Sequence, residues 1–410
     1  MKVLIIGHGC NPLASSEPGL TWNWAFHMAR TNTVHLLSYP HARLETERFM
    51  ADHPCPSLNV HWVDAPHPLA RLNQPGGEKG IRLHYLLWLR KAMERARELH
   101  GIYRFDLVHH VGWGTVSVPT PFWKLGIPLV WGPLGGGQTP PQSLLPLFGS
   151  ERWKEMLRTL RVKALPFWPA LRKAVQRSAV LLATNPESER VLRSAGAERV
   201  TMLTDSALRE DYLPSVPPNR TGQSRIRVLW ASKLLRWKGV DLALRAMQQL
   251  GEQSGVHLVI AGGGPLTGEL EATIKTLGLQ HSVTAKGPVP WRDMPDEFSS
   301  ADVFLFTSVR DSFGSVILEA AAHRLPIIHL NLGGAGAALP SDAGIKIQPS
   351  TVKATAESIA KALAYMRDHP DARARMGQAA YDFAKANLWP RHASIMQEIY
   401  RECAASGGQR

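Results

Sequence analysis

Residues Val309 to Ile328 read V-R-D-S-F-G-S-V-I-L-E-A-A-A-H-R-L-P-I-I, with one carboxylate at Asp311 and a second at Glu319. A continuous helix over that spacing would turn roughly twice, but Ser312, Phe313 and Gly314 interrupt it. Asp311 is therefore expected in a loop at a strand end, and Glu319 on a helix that starts near Gly314. Upstream, A-D-V-F-L-F-T-S (Ala301 to Ser308) is a buried-strand pattern, and downstream L-P-I-I-H-L (Leu325 to Leu330) is another. Strand, loop, helix and strand make a parallel crossover unit. Both acids then face a crevice at the carboxyl edge of a parallel sheet, where open α/β sheets hold ligands. The backbone amides of Phe313, Gly314 and Ser315 would form the first turn of the helix and suit a phosphate. The crevice is read as one for a phosphorylated, hydroxyl-rich ligand. The plainer alternative is a capped amphipathic helix with Glu319 exposed on its outer face.

The order aspartate-serine-phenylalanine-glycine (Asp311 to Gly314), then glutamate-alanine-alanine (Glu319 to Ala321), resembles a known signature. It is similar to the glutamate-seven-residues-glutamate motif of retaining glycosyltransferases of the GT-B fold, in particular glycosyltransferase family 4. The resemblance implies an α/β chain of two Rossmann-like, doubly wound parallel-sheet domains facing each other across a cleft. It also implies that Glu319 binds nucleotide ribose hydroxyls and that Asp311 orients donor-sugar hydroxyls. Asp311 is one methylene shorter than the glutamate usual there.

The bulk properties agree with a two-domain protein. At 410 residues the chain is too long for one compact core. Hydrophobic residues at 44% and charged residues at 20% exclude a disordered or fibrous class. Cys10, Cys55 and Cys403 have no ligand spacing and are odd in number, which favours a reducing compartment over a disulfide framework or zinc site. No apolar run reaches the ~18 residues that cross a bilayer, and the opening V-L-I-I stops at Gly7, too soon for a signal peptide. The expected location is cytoplasmic, or peripheral at the inner membrane face. The net charge of +13 calls for an anionic partner, and it divides as +8 through residue 215 and +5 beyond it. The basic residues carry no recognisable nucleic-acid motif, so nucleic acid is not an expected partner.

Taken in order, M-K-V-L-I-I-G-H (Met1 to His8) is a first buried strand turning into a glycine loop. Pro12 stands where a dinucleotide fingerprint needs its third glycine, which argues against a nicotinamide site. Gly19, in the loop before the first helix, is the position the resemblance maps to contact with the donor diphosphate; a turn glycine is the alternative. F-D-L-V-H-H-V-G (Phe105 to Gly112) is a strand ending in His109 and His110. Alternation turns one of the pair toward the crevice, where an imidazole can move a proton, as the resemblance also implies; a structural histidine is the alternative. The run Gly135 to Gly137 follows another strand and is read as a close approach to ligand, or else a hinge. Between Glu151 and Arg177 basic residues alternate with Trp153, Phe167 and Trp168 on a broken helix, which suits an anionic membrane surface or a solvated domain side.

The stretch 213–224, rich in proline and small polar residues, is the expected linker. It divides a first, acceptor-binding domain (1–212) from a second, nucleotide-sugar-binding domain (225–385), with 386–410 expected to cross back as a terminal helix. The second half opens with a strand and a loop carrying Lys233, Arg236 and Lys238, cations able to clamp a departing diphosphate. Lys233 stands where the family more often has arginine, and Lys238-Gly239 matches its lysine-glycine pair. Gly263 and Gly264 would pack along the nucleotide and Pro288 near its base, as the resemblance implies. The resulting expectation is a retaining hexosyltransferase of the kind that builds polysaccharides. It would use a UDP- or GDP-type donor, a glycan, lipid-linked or small-molecule acceptor, and no metal or other cofactor. The rivals are a nucleotide-sugar epimerase or hydrolase on the same fold, and a non-catalytic donor-binding subunit.

Overall fold

The computed structural model describes residues 1–14, 17–65, 80–214, 216 and 225–407. Its first sheet contains β1 (Lys2–Ile6), β2 (Thr33–Ser38), β3 (Leu58–Trp62), β4 (Leu107–His110), β5 (Leu129–Leu134), β6 (Val180–Ala183) and β7 (Val200–Met202). The order is β3-β2-β1-β4-β5-β6-β7 with every pair parallel. The second sheet contains β8 (Ile226–Ala231), β9 (Val256–Ala261), β10 (Val283–Gly287), β11 (Val303–Phe306), β12 (Ile327–Leu330) and β13 (Gly344–Ile347). Its order, β10-β9-β8-β11-β12-β13, is likewise parallel throughout.

The inner strands of both sheets are covered by helices on each face and are largely apolar, whereas the edge strands β3 and β10 carry polar residues such as Asn59 and Lys286. Alternation then sorts each strand between two cores. Leu4, Ile6, Val108 and Trp131 enter one cluster of the first domain, while Val3, Ile5, Leu107 and Val130 enter the other. In the second domain Val228, Trp230, Val303 and Leu305 lie on one side, and Leu229, Phe304, Phe306 and Ile327 on the other.

Two segments cross between the halves. The 3-10 turns Gln142–Glu151 belong to the first half of the chain, yet Leu144, Leu145, Leu147 and Phe148 are buried in the second domain's core. The first domain is therefore not a contiguous 1–212 unit. At the other end, the helix Trp389–Gly407 packs on the helix Glu17–Met28, with Trp389, Met396, Ile399 and Tyr400 in the first domain's core. The return is pinned by paired backbone bonds, Leu208 N–H to Asn387 O and Trp389 N–H to Leu208 O, both 2.9 Å. Of the expected linker, residues 215 and 217–224 lie outside the described residues.

Candidate functional site

The loop after β11 is held from below before it presents any side chain. Trp230 Nε1 donates to Thr307 Oγ1 (2.9 Å), and Thr307 Oγ1 donates to the Lys238 carbonyl (3.0 Å). Gly239 follows at φ 70°, and a Cβ there would stand 2.2 Å from the Thr307 carbonyl oxygen, so only glycine lets the two loops meet. The result is an ion pair between Lys238 Nζ and Asp311, whose side chains are 18% and 22% exposed. Ser308 Oγ (3.2 Å) and the Ser312 amide (3.1 Å) also donate to Asp311.

Glu319 lies on the short helix Val316–Ala322, buried among apolar neighbours, with Trp291 Nε1 donating to it at 3.3 Å. Burial pushes its carboxyl up to about 7. It lines an interdomain cavity of about 40 Å³ together with Ser315, Tyr212 and, from the first domain, Gly19. Gly19 is not a loop residue, as the sequence led us to expect, but lies in the first turn of the helix Glu17–Met28. Its glycine identity is required by packing, since a Cβ would stand 1.8 Å from the Ala14 carbonyl oxygen. Lys238 does not line this cavity. It is joined to it through the loop Asp311–Ser315.

The remaining second-domain residues fall at the same sheet edge with different degrees of access. Lys233 is exposed, whereas Arg236 is held bidentately by Glu269 at 2.6 Å and 2.6 Å. Gly263 faces Pro288, which a Cβ would meet at 3.4 Å, and Gly264 abuts the Leu234 backbone. The Phe313 side chain is fully buried in the core, so only its backbone is available to a ligand. Gly314 bends the chain at φ 94° against the Phe306 ring.

The histidine expectation is corrected. Both faces of β4 are covered, so neither His109 nor His110 reaches a cleft, and both are buried. His109 is clamped between Tyr400 Oη (2.6 Å) on the terminal helix and the Gly132 carbonyl (2.7 Å). His110 Nε2 meets Tyr85 Oη at 3.1 Å. Burial lowers both rings, to about 4 and about 3, so they are neutral structural groups. The glycine run meets the second domain. Gly135 lies against Ser312 and Gly137 against Ser188, and its neighbour Gln138 donates to Ser312 Oγ at 3.3 Å. Asn185 Nδ2 reaches the Ser312 carbonyl at 3.2 Å, so these residues dock the first domain onto the Asp311 loop.

Two acids went unnoticed in the sequence. Glu17 and Asp205 line a second cavity of about 160 Å³ that shares Leu20 with the first. Burial raises them to about 7 and about 6, and Asp311 adds to the rise at Asp205, so the two domains' carboxylates sense one another. The available signal was position: Asp205 follows the carboxyl end of β7, and Glu17 opens the first helix. A third cavity, about 710 Å³, is walled by Arg82, Arg158, Arg161, Leu165 and Trp168 beside Thr115 and Gly136. Among the described residues no group of three His, Cys, Asp or Glu side chains is arranged to hold a metal ion, and no helix is long and apolar enough to cross a membrane.

The Glu319 environment has a measurable pH signature. Its folded value lies above its ordinary 4.5, so the folded chain holds this proton more tightly than the unfolded chain, and its contribution to stability falls as pH rises from about 4.5 to about 7. Glu319→Gln lacks that loss. The melting temperature of the variant minus that of the wild type is expected to increase between about pH 5 and pH 8. A flat difference across the window contradicts the buried-acid assignment.

Comparison with known proteins places these features in context. Residues 217–383 match the family model "Glycosyl transferases group 1". A D-inositol 3-phosphate glycosyltransferase of Xylanimonas cellulosilytica is 26% identical over 242 residues, 55% of this chain and 57% of that protein. The chain thus matches little more than half of that relative's length. Sucrose-phosphate synthase from Thermosynechococcus elongatus superposes with a TM-score of 0.70 at 17% identity, covering 99% of each chain. Anabaena HepE, solved in complex with UDP and glucose, superposes with a TM-score of 0.61 at 17% identity, over 97% of this chain and 99% of that one. The fold is GT-B.

Proposed function

We propose that this chain, which carries a glycosyl transferases group 1 domain on a GT-B fold, is a retaining glycosyltransferase that moves a hexose from a nucleotide-diphosphate donor. The observation that carries the reading is the interdomain cavity in which Gly19 of one half meets Ser315 and Glu319 of the other, next to the Lys238–Asp311 pair. Glu319 binds the nucleotide ribose hydroxyls. Lys238, with Lys233 at the rim, takes the charge that grows on the diphosphate as the bond from the sugar C1 to phosphate oxygen breaks. Asp311, released from Lys238 by the incoming diphosphate, turns to the sugar hydroxyls. The new bond forms from an acceptor oxygen to C1 on the face the phosphate leaves, and the acceptor proton passes to the departing phosphate. With the leaving charge met by lysines, transfer is expected to need no divalent metal.

The cavity of about 40 Å³ is smaller than the ~300–1,000 Å³ of typical ligand pockets, and the reading includes a widening of the cleft when donor binds. A uridine or guanosine diphosphate sugar is the expected donor, and the HepE complex with UDP on the same fold supports the uridine form. The cavity walled by Arg82, Arg158 and Arg161 suits an anionic acceptor, as does the similarity to an inositol-phosphate enzyme. A melting screen against nucleotide sugars tests the reading, in chelator throughout. The true donor at ~100 times its dissociation constant adds ~2.7 kcal/mol. Glu319→Gln removes most of that gain. A panel in which no nucleotide sugar raises the transition, or raises it only when magnesium or manganese is supplied, overturns the assignment.

A further inference from the structure

The helix Arg152–Ala164 wears its polarity inside out. Glu155, only 5% exposed, points inward with Arg158 and Val162, while Trp153 (62%), Met156 (48%), Leu157 (41%) and Leu160 (64%) face solvent. Positions 153, 156, 157 and 160 form one stripe at helical spacing, the arrangement normally turned toward a core. The stripe continues past the helix end into Phe167, 79% exposed, and Trp168, 42% exposed.

This orientation is fixed by what lies beneath. Glu155 pairs with Arg158 at 3.3 Å and, across the domain boundary, with Arg310 at 2.9 Å. Turning the apolar stripe inward would break both contacts and carry a tryptophan into their place. Around the stripe stand Arg152, Lys154, Arg161, Lys163, Arg172, Lys173 and Arg177, all exposed. The segment's one exposed acid, Glu151, is already paired with Lys154 at 2.7 Å.

We propose that this face, from Trp153 to Arg177, seats the chain on the surface of an anionic lipid bilayer. Exposed aromatic and aliphatic side chains enter the headgroup boundary, while flanking lysines and arginines meet lipid phosphates and keep their charges in water. Charge complementarity selects this occupant over a second copy of the chain. A two-fold interface lays one patch on itself and would bring cations against cations. The stripe also adjoins the arginine-walled cavity, since Arg158, Arg161, Val162 and Trp168 line that cavity from the same two segments.

The test uses the full chain and reads binding rather than sugar transfer, so its outcome is separate from the reading of the cleft. Co-sedimentation is measured with vesicles of phosphatidylcholine alone and of phosphatidylcholine with phosphatidylglycerol. The wild type is expected to bind the anionic vesicles and to be released by salt. The triple variant Trp153→Ser, Leu160→Ser, Phe167→Ser is expected to lower that partitioning about tenfold or more. Its melting temperature should be unchanged, because all three side chains are exposed. A second variant, Lys154→Glu with Lys163→Glu, should weaken binding to anionic vesicles by a similar factor. Absence of vesicle binding, equal binding to both vesicle types, or a dimer in sedimentation velocity that the triple variant dissolves would each overturn the proposal.

Discussion

Lys238→Ala is expected to lower turnover by about 10²- to 10³-fold, the effect of deleting one preorganised charge at a site where transition-state charge develops. The lysine sits at the end of a supported chain of contacts, with Trp230 holding Thr307, Thr307 holding the Lys238 carbonyl, and Gly239 closing the turn. Removing its ammonium group disturbs none of these backbone supports. Asp311 keeps its bonds from Ser308 and the Ser312 amide, and it is far enough exposed to be hydrated, so the variant should fold and melt like the wild type. Steady-state rates with a saturating donor separate the roles. A leaving-group cation appears in kcat, whereas a lysine that only anchors the resting loop leaves kcat within about threefold. Lys238→Arg restores charge without the compact point geometry of an ammonium and should recover only part of the rate.

Glu155→Ala is expected to be strongly destabilising, costing about 3 kcal/mol. The carboxylate is 5% exposed and stands between two guanidinium groups, one on its own helix and one on the Asp311 loop of the other domain. Its loss takes from Arg310, itself 15% exposed and stacked 4.3 Å over the Trp237 ring, the carboxylate it pairs with directly. Burial already lowers Arg310 to about 10 with the acid present. Urea unfolding reads the effect, and the double variant Glu155→Leu, Arg310→Met should be less destabilised than Glu155→Ala because the more buried of the two guanidinium groups leaves together with its partner. A single variant within about 0.5 kcal/mol of wild type would show that the contact carries no net energy.

Much of the fold was open to inference from residue order, for a simple reason. A strand enclosed on both faces is predominantly apolar, so runs such as V-L-I-I, V-F-L-F and the I-I of β12 announce themselves. Asp311 and Glu319 were legible because they share one strand–loop–helix unit, whose geometry local spacing specifies. His109 and His110 were misread by the same logic taken one step too far. Alternation assigns opposite faces, but here one face lies under the helix Ile81–Tyr103 and the other under the terminal helix, whose Tyr400 stands 291 positions from His109. Glu17 and Asp205 escaped notice because their shifts come from tertiary burial. The inside-out helix was visible as basic and aromatic composition, but its handedness toward the core depends on Arg310, a partner in the other half.

The way the backbone threads the molecule also limits how it can move. It passes from one half to the other around residues 142–151, again between Leu203 and Ile226, and a last time at Asn387–Trp389. A joint of one strand behaves as a swivel, free to twist in any direction. Several connections must all bend together when one half rotates against the other, which stiffens the joint. A change in the width of the cleft therefore loads residues 142–151 and the pairing of Leu208 with Asn387 and Trp389 at the same time.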